Sequence, residues 1–231
     1  MNIVEEMVDS GGNEGSGKGD RGAEGLLVVV SAPSGAGKTS VLRGVFDRRP
    51  DIRYSVSATT RPPREGEVDG RDYHFVTGGE FDDLVRCGEF IEWAVVHGNR
   101  YGTLKRTVDE GTARGETIIF DTDTAGARAI KSLFPDAVLI FITPPSPEEL
   151  RRRLLSRDTE TPERVRMRLE AAPREMEHAR EYDYIVVNDT LGNAVSRFLT
   201  ILEAERIRSG RMLSILELWR NDQHGETADH G

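Results

Sequence analysis

Lys38 and Thr39 follow directly on Ala32-Pro33-Ser34-Gly35-Ala36-Gly37. A lysine and a hydroxyl behind a loop of small residues are groups that a nucleoside triphosphate needs. Backbone N–H groups can point at phosphate oxygens only where bulky side chains are out of the way. Lys38 supplies a mobile cation for the β- and γ-phosphates, and Thr39, followed by Ser40, supplies a hydroxyl for Mg²⁺. The elements that position these groups lie on either side. Leu26–Val30 is an apolar, β-branched run suited to a buried parallel strand. Val41, Leu42, Val45 and Phe46 share one face of a following helix, whose N-terminus adds partial positive charge. Strand, glycine loop, Lys-Thr and helix make a P-loop. Its strict pattern begins with Gly where this chain has Ala32, so a negative φ is expected there, because a positive one costs about 1–2 kcal/mol outside glycine. Only four of the 31 basic residues are lysines, so a Lys behind Gly37 argues against an accidental strand–turn–helix.

Four further constellations carry chemistry. Arg61 and Arg64 flank Pro62-Pro63, and two arginines in a stiffened loop can hold a second phosphate, with Tyr73 and Tyr101 adding neutral donors. Surface arginines and core tyrosines are the plainer alternative. Glu92 stands in an otherwise apolar strand, Phe90–Val96, where a carboxylate either points to solvent or accepts the paired donors of a guanine edge. Asp121 and Asp123 close the strand Thr117–Phe120, at the end of a parallel sheet where ligands gather; turn chemistry explains them equally simply. Arg151, Arg152, Arg153 and Arg157, then Arg164, Arg166 and Arg168, form either a solvated helix or a lid whose arginines meet phosphoryl charge.

At 231 residues the chain is one large or two small domains, with a net charge of −9. Residues 1–25 hold −4 of that charge, are Gly-rich and lack aromatics, and read as a disordered extension. The remaining −5 is not the basic surface of a general nucleic-acid binder. A single Cys87, no apolar run of membrane-spanning length and an acidic N-terminus suggest a cytoplasmic protein without a membrane partner. Strands alternating with helices imply an α/β fold with a central parallel sheet flanked by helices. The stretch 57–103 breaks that rhythm and reads as an inserted, mostly antiparallel subdomain. Within it Glu80–Cys87 is expected as a helix and Asn99–Thr103 as a turn. Later helices are expected at Leu104–Arg114, Ala125–Leu133, Pro147–Arg157, Arg164–Arg180 (kinked or broken at Pro173) and Ala194–Arg208. Residues 209–231 are expected to extend the last helix and then fray.

In this order, SAPSGAGKT, SVSATTRPPREGEVDGRDYHF, EFIEW, GNRYGT, DTDTAG, PPSPEELRRRLLSRDTET and VVNDT resemble the guanylate kinases, from about Leu26 to Asn193. The resemblance implies a nucleoside-monophosphate kinase with a core (26–56 and 104–208), a GMP-binding insertion (57–103) and a lid (about 153–168). It implies ATP, GMP or dGMP, and Mg²⁺. Carried over by position, residues Ala32 to Ser40 with Asn188 and Asp189 would bind ATP, and Thr39 and Asp121 would serve the metal. Ser57, Arg61, Arg64, Glu67, Tyr73, Glu92, Tyr101, Thr103 and Asp123 would bind GMP. Lys38, Arg153, Arg157 and Arg168 would act in transfer. Three positions depart from the family pattern: Ala32 for Gly, Ala125 for Gln and Asp158 for Gly. A ribose bisphosphate kinase would have no base for Glu92 and Asp123 to read, and a phosphopeptide-binding relative could dispense with Lys38. Oligomeric state is not legible.

Overall fold

A computed structural model describes residues 25–96, 98–156, 161–213 and 219. The chain order begins β1 (Leu26–Ser31), α1 (Lys38–Arg48), β2 (Arg53–Tyr54), β3 (Ala58–Thr59), β4 (His74–Phe75), α2 (Gly78–Arg86), β5 (Phe90–Val96) and β6 (Asn99–Leu104). It continues α3 (Lys105–Ala113), β7 (Thr117–Asp121), α4 (Thr124–Leu133), β8 (Val138–Thr143), α5 (Pro147–Leu155), α6 (Pro162–Glu177), β9 (Tyr184–Val187) and α7 (Leu191–Arg206). Of the disordered extension expected over residues 1–25, residues 1–24 lie outside the described residues, as do Arg157, Asp158 and most of the C-terminal tail, whereas Gly25 is buried against Thr112 and Glu116 and does not belong to it.

The main sheet runs β2-β7-β1-β8-β9, and every pair in it is parallel. β1 sits at its centre and all six of its residues are buried, as a continuous apolar run requires when helices cover both faces. Its alternation divides the core. Leu26, Val28 and Val30 pack with Val41 and Val45 of α1 and with Val195, Phe198 and Leu202 of α7. Leu27 and Val29 pack on the other face with Val108 of α3 and Ala127 and Ile130 of α4. The register pairs Val30 with Asp121 and Ser31 with Phe141, so the P-loop and the acidic end of β7 emerge at one edge.

The insertion forms a second sheet, β4-β3-β6-β5. β3–β6 and β5–β6 are antiparallel, while β3–β4 is parallel. Asn99–Thr103 is thus not a turn but most of β6. Asparagine and glycine read as turn formers, yet here the segment pairs on both edges, and tertiary pairing overrides the local preference. Between Phe90 and Glu92 the β5–β6 register shifts, leaving Ile91 as the extra residue of a bulge. Phe90 and Trp93, three apart, therefore both meet the Phe81 ring of α2. Ile91 instead packs against the core of the main sheet. The bulge is what turns Glu92 away from α2.

α5 and α6 make a small core of their own from Leu150, Leu154, Val165 and Ala172. Ser146 caps α5 and Thr161 caps α6, each with proline in the first turn. Pro173 does not break α6, which runs unbroken from Pro162 to Glu177 before a 3₁₀ turn over His178–Glu181. Its ring is on the exposed side, so the missing N–H releases one carbonyl near solvent rather than a turn of helix. α7 begins three residues earlier than its apolar periodicity suggests, because Thr190 accepts the Asn193 N–H as its cap.

Candidate active site

The P-loop links β1 to α1, and both glycines that close it adopt the left-handed conformation, with φ of 91° at Gly35 and at Gly37. Neither can carry a side chain. A Cβ at Gly37 would lie 2.5 Å from the Asn188 amide nitrogen, and one at Gly35 would lie 2.7 Å from Leu154. Gly37 is the N-cap of α1 and offers no side-chain acceptor. The N–H groups of Gly35, Gly37 and Lys38 meet no acceptor among the described residues. An uncapped helix N-terminus with converging donors is a site for an anion. Thr39 and Ser40 follow, both exposed.

Lys38 is ion-paired with Asp121 and donates to the Thr122 carbonyl at 3.2 Å. The Ser31 hydroxyl donates to the same carbonyl at 2.9 Å. A cation is therefore held at the mouth of the loop, where β1 and β7 end together. From there a cleft of about 400 Å³ runs to the inserted sheet. Lys38 and Asp121 from the P-loop edge line it together with Asp123, Ser57, Tyr73, Glu92, Tyr101 and Thr103.

Glu92 and Thr103 face each other across the β5–β6 ladder, and the Thr103 hydroxyl donates to Glu92 Oε1 at 2.7 Å. Burial pushes the Glu92 carboxyl above the usual carboxylate range; Asp123 adds to this and the Thr103 hydroxyl opposes it. Asp123 caps α4 by accepting the Gly126 N–H at 2.8 Å through Oδ1, leaving Oδ2 for a ligand.

Of the four residues expected to clamp an anion, Arg61, Tyr73 and Tyr101 lie together. Arg61 lies over the Tyr73 and Phe75 rings and donates to Glu67 at 2.8 Å. The other oxygen of Glu67 accepts the Arg64 N–H at 2.6 Å. The Tyr73 and Tyr101 rings meet edge to face, 5.9 Å between centroids. Glu67 thus stands where two donors converge, while the Arg64 side chain is exposed.

The guanylate kinase family model matches residues 24–205. Guanylate kinase of Syntrophotalea carbinolica is 51% identical over 190 residues, covering 82% of this chain and 90% of the relative. That of Symbiobacterium thermophilum is 48% identical over 188 residues, covering 81% and 89%. The crystal structure of guanylate kinase from Anaplasma phagocytophilum superposes with a TM-score of 0.70 at 34% identity, covering 86% of this chain and 95% of that one. The chain belongs to the guanylate kinase family. Membership gives it ATP-dependent phosphorylation of GMP to GDP.

Within this guanylate kinase fold, two of the expected lid and adenine residues, Arg153 and Asn188, are tied to the P-loop. Arg153 donates to the Ala36 carbonyl at 3.1 Å and to the Asn188 carbonyl at 2.8 Å, and is held by Glu149 at 2.7 Å. The Asn188 amide donates to the same Ala36 carbonyl at 2.8 Å. Asp189 accepts from Arg197 and from the Thr190 N–H. The Arg153 side chain is only 21% exposed, which removes the solvated-helix reading for this arginine. Arg168, half-buried on α6, is not brought to the cleft lining. Sequence reasoning missed Thr122, Gly102 and Gly126. A Cβ at Gly102 would enter the Phe90 ring, and one at Gly126 would meet the Thr122 hydroxyl. Glycine inside a strand signals such close approach; the Thr122 carbonyl leaves no mark in the sequence.

Proposed function

We propose that the cleft holds ATP at the P-loop and GMP at the inserted sheet, in line for direct transfer. The observation that carries this reading is the single cleft lined by both Lys38 and the Glu92–Thr103 pair. Lys38 leaves Asp121 for the β/γ-phosphates and stabilises developing charge. Arg61, Arg64, Tyr73 and Tyr101 take the GMP phosphate, with Glu67 shaping the loop beforehand. Glu92, Asp123, Thr103 and Ser57 read guanine. Asn188 and Asp189 flank the adenine side, and Arg153, Arg157 and Arg168 serve the lid. The phosphate oxygen of GMP is already a nucleophile, so the residues need only position and neutralise. The same chemistry accommodates dGMP, since no residue of the reading depends on the 2′-hydroxyl.

The Thr39 hydroxyl and Asp121 carboxylate are hard oxygen donors at the loop mouth, the donor set that suits Mg²⁺. No group of three acids, histidines or cysteines is needed, and none occurs among the described residues, because Mg²⁺ usually keeps its waters and takes phosphate oxygens. Held by Thr39 and Asp121, it would supply positive charge against the phosphates. No helix among the described residues is long and apolar enough to cross a membrane. The test is ADP release with GMP, dGMP, AMP, UMP and ribose 1,5-bisphosphate as acceptors. Turnover confined to GMP and dGMP supports the reading; equal turnover with AMP, or preference for the ribose bisphosphate, removes the base from it.

A further inference from the structure

Three consecutive P-loop residues are gripped by the two helices that carry the lid segment. The Ser34 N–H donates to Glu175 Oε2 of α6 at 3.2 Å. Gly35 lies so close to α5 that a Cβ would meet Leu150 at 3.0 Å and Leu154 at 2.7 Å. The Ala36 carbonyl accepts Arg153 of α5. The loop's outer half is therefore held from the lid side, while the N–H groups of Gly35, Gly37 and Lys38 remain open to phosphate.

Among these grips the Glu175 contact is unusual in its chemistry. A carboxylate beside a polyphosphate site repels the ligand, so its presence there needs a compensating role. Glu175 comes from the last turn of α6, after Pro173, and in that turn the Met176 sulfur lies 3.2 Å from the Thr143 hydroxyl oxygen at the end of β8. The end of α6 thus packs against the end of β8, and Glu175 carries its position to Ser34. We propose that Glu175 is a positioning residue for ATP: by accepting the Ser34 N–H it sets the outer turn of the P-loop so that the following N–H groups converge on phosphate. This rests on the reading that the P-loop takes ATP and the inserted sheet takes GMP.

The test is calorimetric binding of a non-hydrolysable ATP analogue, and separately of GMP, to the whole chain and to Glu175→Ala, Glu175→Gln and Glu175→Asp. Steady-state KM and kcat accompany it. In Glu175→Ala the analogue binds at least fivefold more weakly and the KM for ATP rises in step, while GMP affinity stays within twofold. Glu175→Gln recovers the analogue affinity, because an amide oxygen accepts the same N–H. Glu175→Asp, one methylene short, repeats the ATP-selective loss and keeps the test open should the alanine variant fail to fold. Analogue affinity within twofold of wild type in both the alanine and aspartate variants overturns the proposal. Tighter binding in both the alanine and glutamine variants also overturns it, since Glu175 would then act only as a charge gate. Equal weakening of both nucleotides with a falling Tm leaves an ordinary structural role and overturns it too. Wild-type chain that fails to turn over ATP with GMP sinks the proposed function instead, and the ratio of analogue affinities still reads this inference.

Discussion

Replacing Glu92 by Gln tests the base-reading half of the cleft atom by atom. Oε1 of Glu92 takes the Thr103 hydroxyl at 2.7 Å, leaving Oε2 and one lone pair of Oε1 for a ligand. Guanine presents N1–H and the N2 amine as adjacent donors, and a carboxylate accepts both. Each hydrogen bond to a charged acceptor contributes about 1.5–3 kcal/mol. The amide keeps one neutral acceptor and turns an NH₂ against a donor. The expected loss is about 2–4 kcal/mol, or roughly 30- to 1000-fold in kcat/KM for GMP. IMP lacks the N2 amine, so the wild-type enzyme should use it about 10- to 150-fold less well than GMP. In Glu92→Gln that ratio should shrink, because IMP has no N2 amine to set against the amide NH₂ and so avoids the donor–donor clash. The assay is kcat/KM for GMP and IMP with both proteins. An unchanged GMP-to-IMP ratio would refute the reasoning.

The same carboxylate gives a pH dependence of definite sign. Its folded pKa is raised, so the ligand-free fold binds that proton more tightly than the unfolded chain, and the stability contribution falls as pH rises from the usual glutamate value through the raised one. The Tm of ligand-free Glu92→Gln should therefore gain on wild type as pH rises from the usual glutamate range; a wild type that gains on the variant over that rise contradicts the burial argument. Lys38→Ala should lower kcat by about 10²–10³-fold while calorimetric GMP affinity stays near wild type, and loss of GMP affinity with normal kcat would reverse the two halves of the cleft. Gly37→Ala forces a side chain into a φ of 91° and against Asn188; at least about 1–2 kcal/mol of stability should be lost on denaturant titration, and a wild-type midpoint would deny the strain. Glu67→Ala frees Arg61 and the Arg64 N–H, and should raise the KM for GMP about tenfold, some 1.4 kcal/mol, with the KM for ATP unmoved; a shift in ATP alone would detach Glu67 from the acceptor site.

The parts of this molecule that were legible in the sequence are those specified by local chemistry. Leu26–Val30 and Val138–Ile142 are buried runs that only a doubly covered parallel sheet accommodates, and both stand in its middle. Gly35 and Gly37 adopt backbone conformations that other residues resist, so their spacing before Lys38 is readable. What was not legible depends on distant partners. β6 carries turn-like residues but pairs on both edges. The bulge at Ile91 reverses the facing of Phe90 relative to Glu92, which strict alternation misses. Glu175 reaches Ser34 across 141 residues of chain, and Arg153 resembles its exposed neighbours Arg151 and Arg152 until its partners on Ala36 and Asn188 are seen.

The central claim is that one cleft passes a phosphoryl group directly from ATP at Lys38 to GMP at Glu92. Rapid-quench tracking of γ-³²P-labelled ATP with equimolar GMP and AMP measures this most directly. The account predicts label in the β-phosphate of GDP from the first turnover, with little in ADP formed from AMP and none retained on protein. Label in inorganic phosphate, in the protein, or equally in the two acceptors' products would contradict it.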